Sequence, residues 1–122
     1  MNLIPRDVVI VDFPSSVPQG HEQEGKRPAV IVGIPKKARF LAVVVVPLTR
    51  DAAQKWAAKR GDLYPKLAAG TGNVPHNSIV LLDQVRALDA RRLGKQIGTL
   101  TPEEYAPILE GLKTMLEIGE QP

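Results

Sequence analysis

Nine consecutive residues, Gly20-His21-Glu22-Gln23-Glu24-Gly25-Lys26-Arg27-Pro28, bring an imidazole, two carboxylates, an amide and two cations together just before the apolar run Ala29-Val30-Ile31-Val32. Pro28 fixes its own φ and biases Arg27 toward an extended backbone. Arg27 is therefore expected at a rigid junction of loop and strand. A guanidinium held that way suits anionic oxygens through charge-assisted bonds. Glu22 can take up a proton, and His21 is a further acid–base group. The plain alternative is a solvated hairpin loop. Other polar groups stand at the ends of apolar runs: Thr49 after a valine stretch, and Asp83, Gln84 and Arg86 within Ser78–Leu88. Asp83 and Gln84 interrupt an apolar run, and buried polar groups need partners. They are expected to bond loop backbone and hold the Gly20–Gly25 loop, with a ligand contact by Gln84 as the other reading.

Several chemistries are missing. The chain has no cysteine, which excludes disulfides and thiolate metal sites, and its two histidines, His21 and His76, cannot build a histidine-rich site alone. No phosphate-cradling glycine motif or Gly-x-Ser-x-Gly elbow is present. No cofactor or metal is expected. The balance of 16 Lys+Arg against 13 Asp+Glu is mildly basic, compatible with a polyanionic partner but not diagnostic of one. The longest apolar run, Leu41 to Leu48, falls far short of the roughly 20 residues that cross a bilayer. The first residues lack the pattern of a secretory signal, so a cytoplasmic protein with no membrane contact is expected.

The elements that must position these groups follow from periodicity. At 122 residues the chain suits one domain, residues 1–122. The β-branched run Asp7–Phe13 reads as a strand closed by Pro14. Ser15 to Lys26 is a loop, and Arg27 to Gly33 a second strand. Phe40 to Leu48 is a third, covered on both faces, in which Pro47 suggests an edge or terminal position. Asp51 to Arg60 is rich in helix formers, with Trp56 as its apolar anchor. A short strand is expected around Leu63–Leu67, a long or bent pair of strands over Ser78–Leu88, a basic turn at Arg91-Arg92 and a last strand over Gly94–Leu100. Thr101-Pro102-Glu103-Glu104 is a helix start, with Thr as cap, Pro first and Glu three on. Tyr105, Ile108, Leu109, Leu112, Met115 and Leu116 then make one apolar stripe, and Gly119 closes the helix. Short strands followed by a helix predict a mainly β fold, a small curled antiparallel sheet or barrel with helix packed on it.

Taken in order, Asp7–Phe13, Gly20-x-Glu22-Gln23-x-Gly25-x-Arg27-Pro28-Ala29-Val30, Val46-Pro47-Leu48-Thr49 and Ser78-x-Val80-x-x-Asp83-Gln84-x-Arg86 resemble the MazF/PemK toxin family, as do Arg91-Arg92-Leu93 and Ile97-Gly98. The resemblance implies an SH3-like barrel of the CcdB/PemK kind that forms a homodimer. It also implies a toxin that cuts single-stranded RNA at short sequences without a metal and is blocked by a cognate antitoxin. By position it puts the catalytic arginine on Arg27, the threonine on Thr49 and the loop glutamate on Glu22. His21, Gln23, Lys26, Arg50, Gln84 and Arg86 are then expected to bind RNA, and Arg39 is a further basic residue near the backbone path. His21 replaces a small hydroxyl residue common in the family, and Arg6 replaces a common glycine. The alternatives are a gyrase-poisoning toxin of the same fold, like the CcdB toxins, and a catalytically silent nucleic-acid-binding module.

Overall fold

Three β-branched runs form the middle of the sheet, because such side chains pack well on a pleated surface. The computed structural model describes residues 2–15, 18, 20–51 and 61–119. Strands β1 (Asp7–Phe13), β2 (Gly25–Gly33) and β3 (Ala42–Arg50) pair antiparallel in sequence order. Four further strands complete the sheet: β4 (Lys66–Leu67), β5 (Ser78–Val80), β6 (Arg86–Asp89) and β7 (Leu93–Thr99). The path runs β4-β5-β3-β2-β1-β7, with β6 branching from β3. The mainly β architecture is as expected, but no rung joins β4 to β7 among the described residues, so the barrel is open.

Strand β3 resolves the puzzle of Pro47. It lies inside the sheet, with β2 on one side and two different strands on the other. Ala42–Val45 pair with β6 and Leu48–Arg50 with β5. Pro47 sits at the changeover, where its missing N–H breaks neither ladder, and its carbonyl accepts from Leu81 N–H at 2.9 Å. The expectation of an edge position is therefore replaced by a switch of partners.

Alternation sorts most of the buried side chains into two main cores, with Ile79 and Leu81 in a smaller cluster beside Tyr64. Val8, Val30, Val46, Leu48, Val80 and Leu82 join Tyr105, Ile108 and Leu112 of helix α1 (Pro102–Met115). On the opposite face Val9, Val11, Phe13, Ala29, Ile31, Val43, Val45 and Leu88 form the second cluster. Thr101 caps α1 as its sequence requires. Glu104 N–H donates to Thr101 Oγ1 at 3.1 Å, and Thr101 N–H donates to Glu104 Oε1 at 2.8 Å. Gly111 is buried because the helix crosses tightly there: a Cβ would meet the Leu82 side chain and lie 2.5 Å from the Asp62 carbonyl.

Several boundaries move. β2 starts at Gly25, whose φ of +76° favours glycine, because Gly25 and Lys26 still pair with Phe13 and Asp12. β3 runs on to Arg50, so Thr49 lies inside a strand. Only Lys66–Leu67 of the expected Leu63–Leu67 strand is paired, and Gly61–Leu63 is a 3₁₀ turn. Ser78–Leu88 is the bent pair, broken by a 3₁₀ turn at Leu82–Gln84. The helix ends at Met115 rather than Gly119, since Leu116 leaves helical angles and Glu117 takes a φ of +58°. Leu109 and Leu116 of the predicted stripe are exposed. The expected helix over Asp51–Arg60, with Trp56, falls on residues 52–60, which lie outside the described residues.

Candidate active site

Arg27 and Thr49 come from neighbouring strands. The β2–β3 rungs include Ala29↔Pro47, Val30↔Val46 and Ile31↔Val45. Continued two residues beyond the last rung, this register sets Arg27 across from Thr49. Alternation puts both on the face that carries Ala29 and Pro47. Arg27 is half-buried, opposite Val11 of β1, and its Nε–H donates to the Glu24 carbonyl at 2.8 Å. That bond orients the guanidinium while leaving its terminal nitrogens unspent. Arg27 enters none of the ion pairs among the described residues. Thr49 is half-buried opposite Ile79 of β5.

The loop ahead of Arg27 is held from across the molecule. Gln84 Oε1 accepts from Gln23 N–H at 2.8 Å, and Gln84 Nε2 donates to the His21 carbonyl at 3.1 Å. The two bonds bracket Glu22. This is the loop-holding role the sequence suggested for Gln84, and one amide hydrogen and one lone pair remain for other partners. Asp83 accepts instead from the Tyr64 hydroxyl at 2.5 Å. The Glu22 carboxylate lies over Gly20, where a Cβ would require that side chain to swing aside. Gln23 Oε1 is buried and has no hydrogen-bond donor among the described residues.

A cleft of about 690 Å³ opens beside this loop. Glu22, Gln23, Gln84 and Arg86 line it, over a floor that includes Phe13 and Pro47. Arg86 comes from β6, opposite Val45. Arg27 and Thr49 extend the Ala29–Pro47 row on the same sheet face but do not line the cleft. His21 is exposed on the loop. Arg50 is exposed opposite Ser78, at the far end of β3. Lys26 faces away from Arg27 into a separate groove with Asp12.

Sequence reasoning missed Phe13 and Pro47 as cleft floor and Tyr64 as the partner of Asp83. Phe13 was recoverable from its alternation with Val9 and Val11. Tyr64 lies in a stretch without periodicity and carried no signal. Among the described residues no three His, Asp or Glu side chains converge as metal ligands do, and no helix is long and apolar enough to cross a membrane.

Comparison with known proteins bears on the fold and the family. Endoribonuclease MazF of Staphylococcus epidermidis is 26% identical over 113 residues, covering 93% of this chain and 90% of that protein. The crystal structure of MazF (form I) from Deinococcus radiodurans superposes with a TM-score of 0.70 at 22% identity, over 95% of this chain and 97% of that one. An endoribonuclease in complex with its cognate antitoxin, from a mycobacterial species, superposes with a TM-score of 0.66 at 23% identity, over 99% and 100%. The sequence profile of the PemK-like, MazF-like toxins matches residues 5–116, nearly the whole chain. The chain therefore belongs to the PemK-like, MazF-like toxin family of type II toxin–antitoxin systems.

Proposed function

We propose that this chain is the toxin of a toxin–antitoxin pair, an endoribonuclease that cuts single-stranded RNA at short sequences by 2′-hydroxyl attack and needs no metal. In that reaction the 2′-oxygen bonds to the adjacent phosphorus and the bond from phosphorus to the 5′-oxygen breaks. The products are a 2′,3′-cyclic phosphate and a 5′-hydroxyl. The 2′-hydroxyl proton goes to Glu22, and the departing 5′-oxygen takes one from solvent at the open cleft. Negative charge gathers on the phosphoryl oxygens in the transition state. The Arg27 guanidinium neutralises it, and the Thr49 hydroxyl donates a hydrogen bond to the same group. His21, Gln23, Lys26, Arg50, Gln84 and Arg86 bind the RNA, which is read as unpaired bases because paired A-form RNA hides their edges. The working unit is a homodimer, held off RNA by a cognate antitoxin.

The observation that supports this reading is the register of β2 on β3. Its last rung, Ala29↔Pro47, extended by two residues, brings Arg27 and Thr49 to corresponding positions on the face from which Pro47 lines the Glu22 cleft. The relative bound to its cognate antitoxin supports the partner. The test is incubation of purified protein with long RNA in EDTA. Cleavage is expected to persist in chelator and to fall by about 10²–10³ in Arg27→Ala, the usual cost of one charge-stabilising donor. Intact RNA across varied sequence libraries would overturn the proposal, and inhibition of gyrase supercoiling alongside intact RNA would favour the alternative toxin class.

A further inference from the structure

Beyond α1, on the sheet face that carries Val8 and Val30, lies the end of the β1–β2 ribbon. A groove of about 390 Å³ lies there, with Ile10, Leu93 and Gly94 in its lining. Its rim carries Lys26 from β2, Arg91 and Arg92 from the turn before β7, Lys95 from β7, and the carboxylate of Asp12. The four cations are not equivalent. Arg91 is spent on Asp89, with Nη2 at 3.0 Å from Oδ2 and its backbone N–H donating to Oδ1 at 2.9 Å. Lys26, Arg92 and Lys95 join no ion pair among the described residues. Arg92 Nη1 donates to the Asp12 carbonyl at 3.2 Å, which orients the guanidinium over the groove without neutralising it. Three unpaired cations from separate segments thus face one carboxylate, although Asp12 lies directly across the ladder from Lys26.

We infer that this groove is a second phosphate-binding site, which takes the sugar-phosphate backbone of the single-stranded RNA beyond the nucleotides at Arg27. The inference rests on the nuclease reading above and adds to it a site on the opposite face of the same ribbon. Lys26 and Arg27 are adjacent in β2 and alternate faces, so one strand carries both sites. A lone Lys95 on the edge strand β7 has another use, since edge charges guard against strand pairing. That use does not call for Arg92 and Lys26 to converge on the same groove with their charges open. A polyanion does, because each phosphate neutralised releases counterions.

The test measures anisotropy of a labelled 2′-O-methyl RNA pool, which lacks the attacking hydroxyl, across a salt series. Arg92→Ala/Lys95→Ala is compared with wild type and with a charge-matched control, Lys36→Ala/Lys113→Ala. The groove pair is expected to lower the slope of log affinity against log salt by about 1.4, at roughly 0.7 per lost contact, and the control to leave it unchanged. Circular dichroism checks folding, and Lys95→Gln provides a second, milder variant with an effect of the same sign. A wild-type slope in the groove variants, or an equal fall in the control, overturns the inference. So does an unchanged RNA slope accompanied by weakened binding of polyglutamate, which would assign the groove to an acidic protein partner. Cleavage of unmodified RNA by wild type is run in parallel. Cleavage with an unchanged slope sinks only the groove, whereas a fall in slope without wild-type cleavage sinks only the nuclease.

Discussion

The 3₁₀ turn Leu82–Gln84 has two very different neighbours. On one side Leu82 is fully buried and packs under α1 at Gly111. On the other, two residues along, Gln84 grips the backbone of the His21–Gln23 loop. The helix side is saturated: its cap is reciprocal and Ile108 is fully buried. The loop side is under-satisfied: Gln23 holds an orphan acceptor, and Glu22 stands exposed over a side-chain-free Gly20. One short turn therefore transmits the rigidity of a packed core to a loop too polar to pack. The loop depends on the core for its shape, while the core asks little of the loop.

Substitutions can break that asymmetry. The largest effect belongs to Ile108→Ala, which empties the centre of the helix-side core and is expected to cost about 2–5 kcal/mol in urea unfolding. Cleavage measured well below the transition should survive it. Gln84→Ala acts on the other side. Two modest hydrogen bonds to the loop are lost, and RNA cleavage is expected to fall about tenfold with the unfolding midpoint nearly unchanged. Equal losses of stability in both variants would show that the loop is part of the core after all. Thr101→Ala removes half the capping box and is expected to lower stability by about 1 kcal/mol, with cleavage unaltered. The smallest effect is alkaline. Burial raises the pKa of Tyr105, with the nearby Arg6 charge partly opposing the rise. The folded state thus resists ionisation, and this contribution is complete below about pH 10 and lost as pH climbs through the raised value. Thermal melts above pH 10 should show wild type losing more stability than Tyr105→Phe.

Local signals carried much of this molecule. The β-branched run from Asp7 to Phe13 gave its strand limits directly, and Thr101-Pro102 with Glu104 gave the helix start. Gln84 was readable because a polar residue amid apolar ones must find partners. Limits set by distant partners were not readable. β2 reaches back to Gly25 only because Asp12 and Phe13 of β1 are there to pair with. The buried stripe of the helix is narrower than its apolar periodicity, which cannot tell that Leu109 faces solvent. The Arg27–Thr49 arrangement needs the β2–β3 register, which no local pattern encodes. Resemblance suggested the two residues, and the β2–β3 pairing ends two residues short of them, at Ala29↔Pro47.

The changeover at Pro47 has a consequence for the chain as a whole. β3 is bordered by segments drawn from the first, second and last thirds of the sequence, so none of them can peel away without uncovering it. A cut in the connection after Arg50 would leave two fragments, each with half of an unmatched edge. Neither half is expected to fold on its own, and the central valines should be the last amides to exchange with solvent.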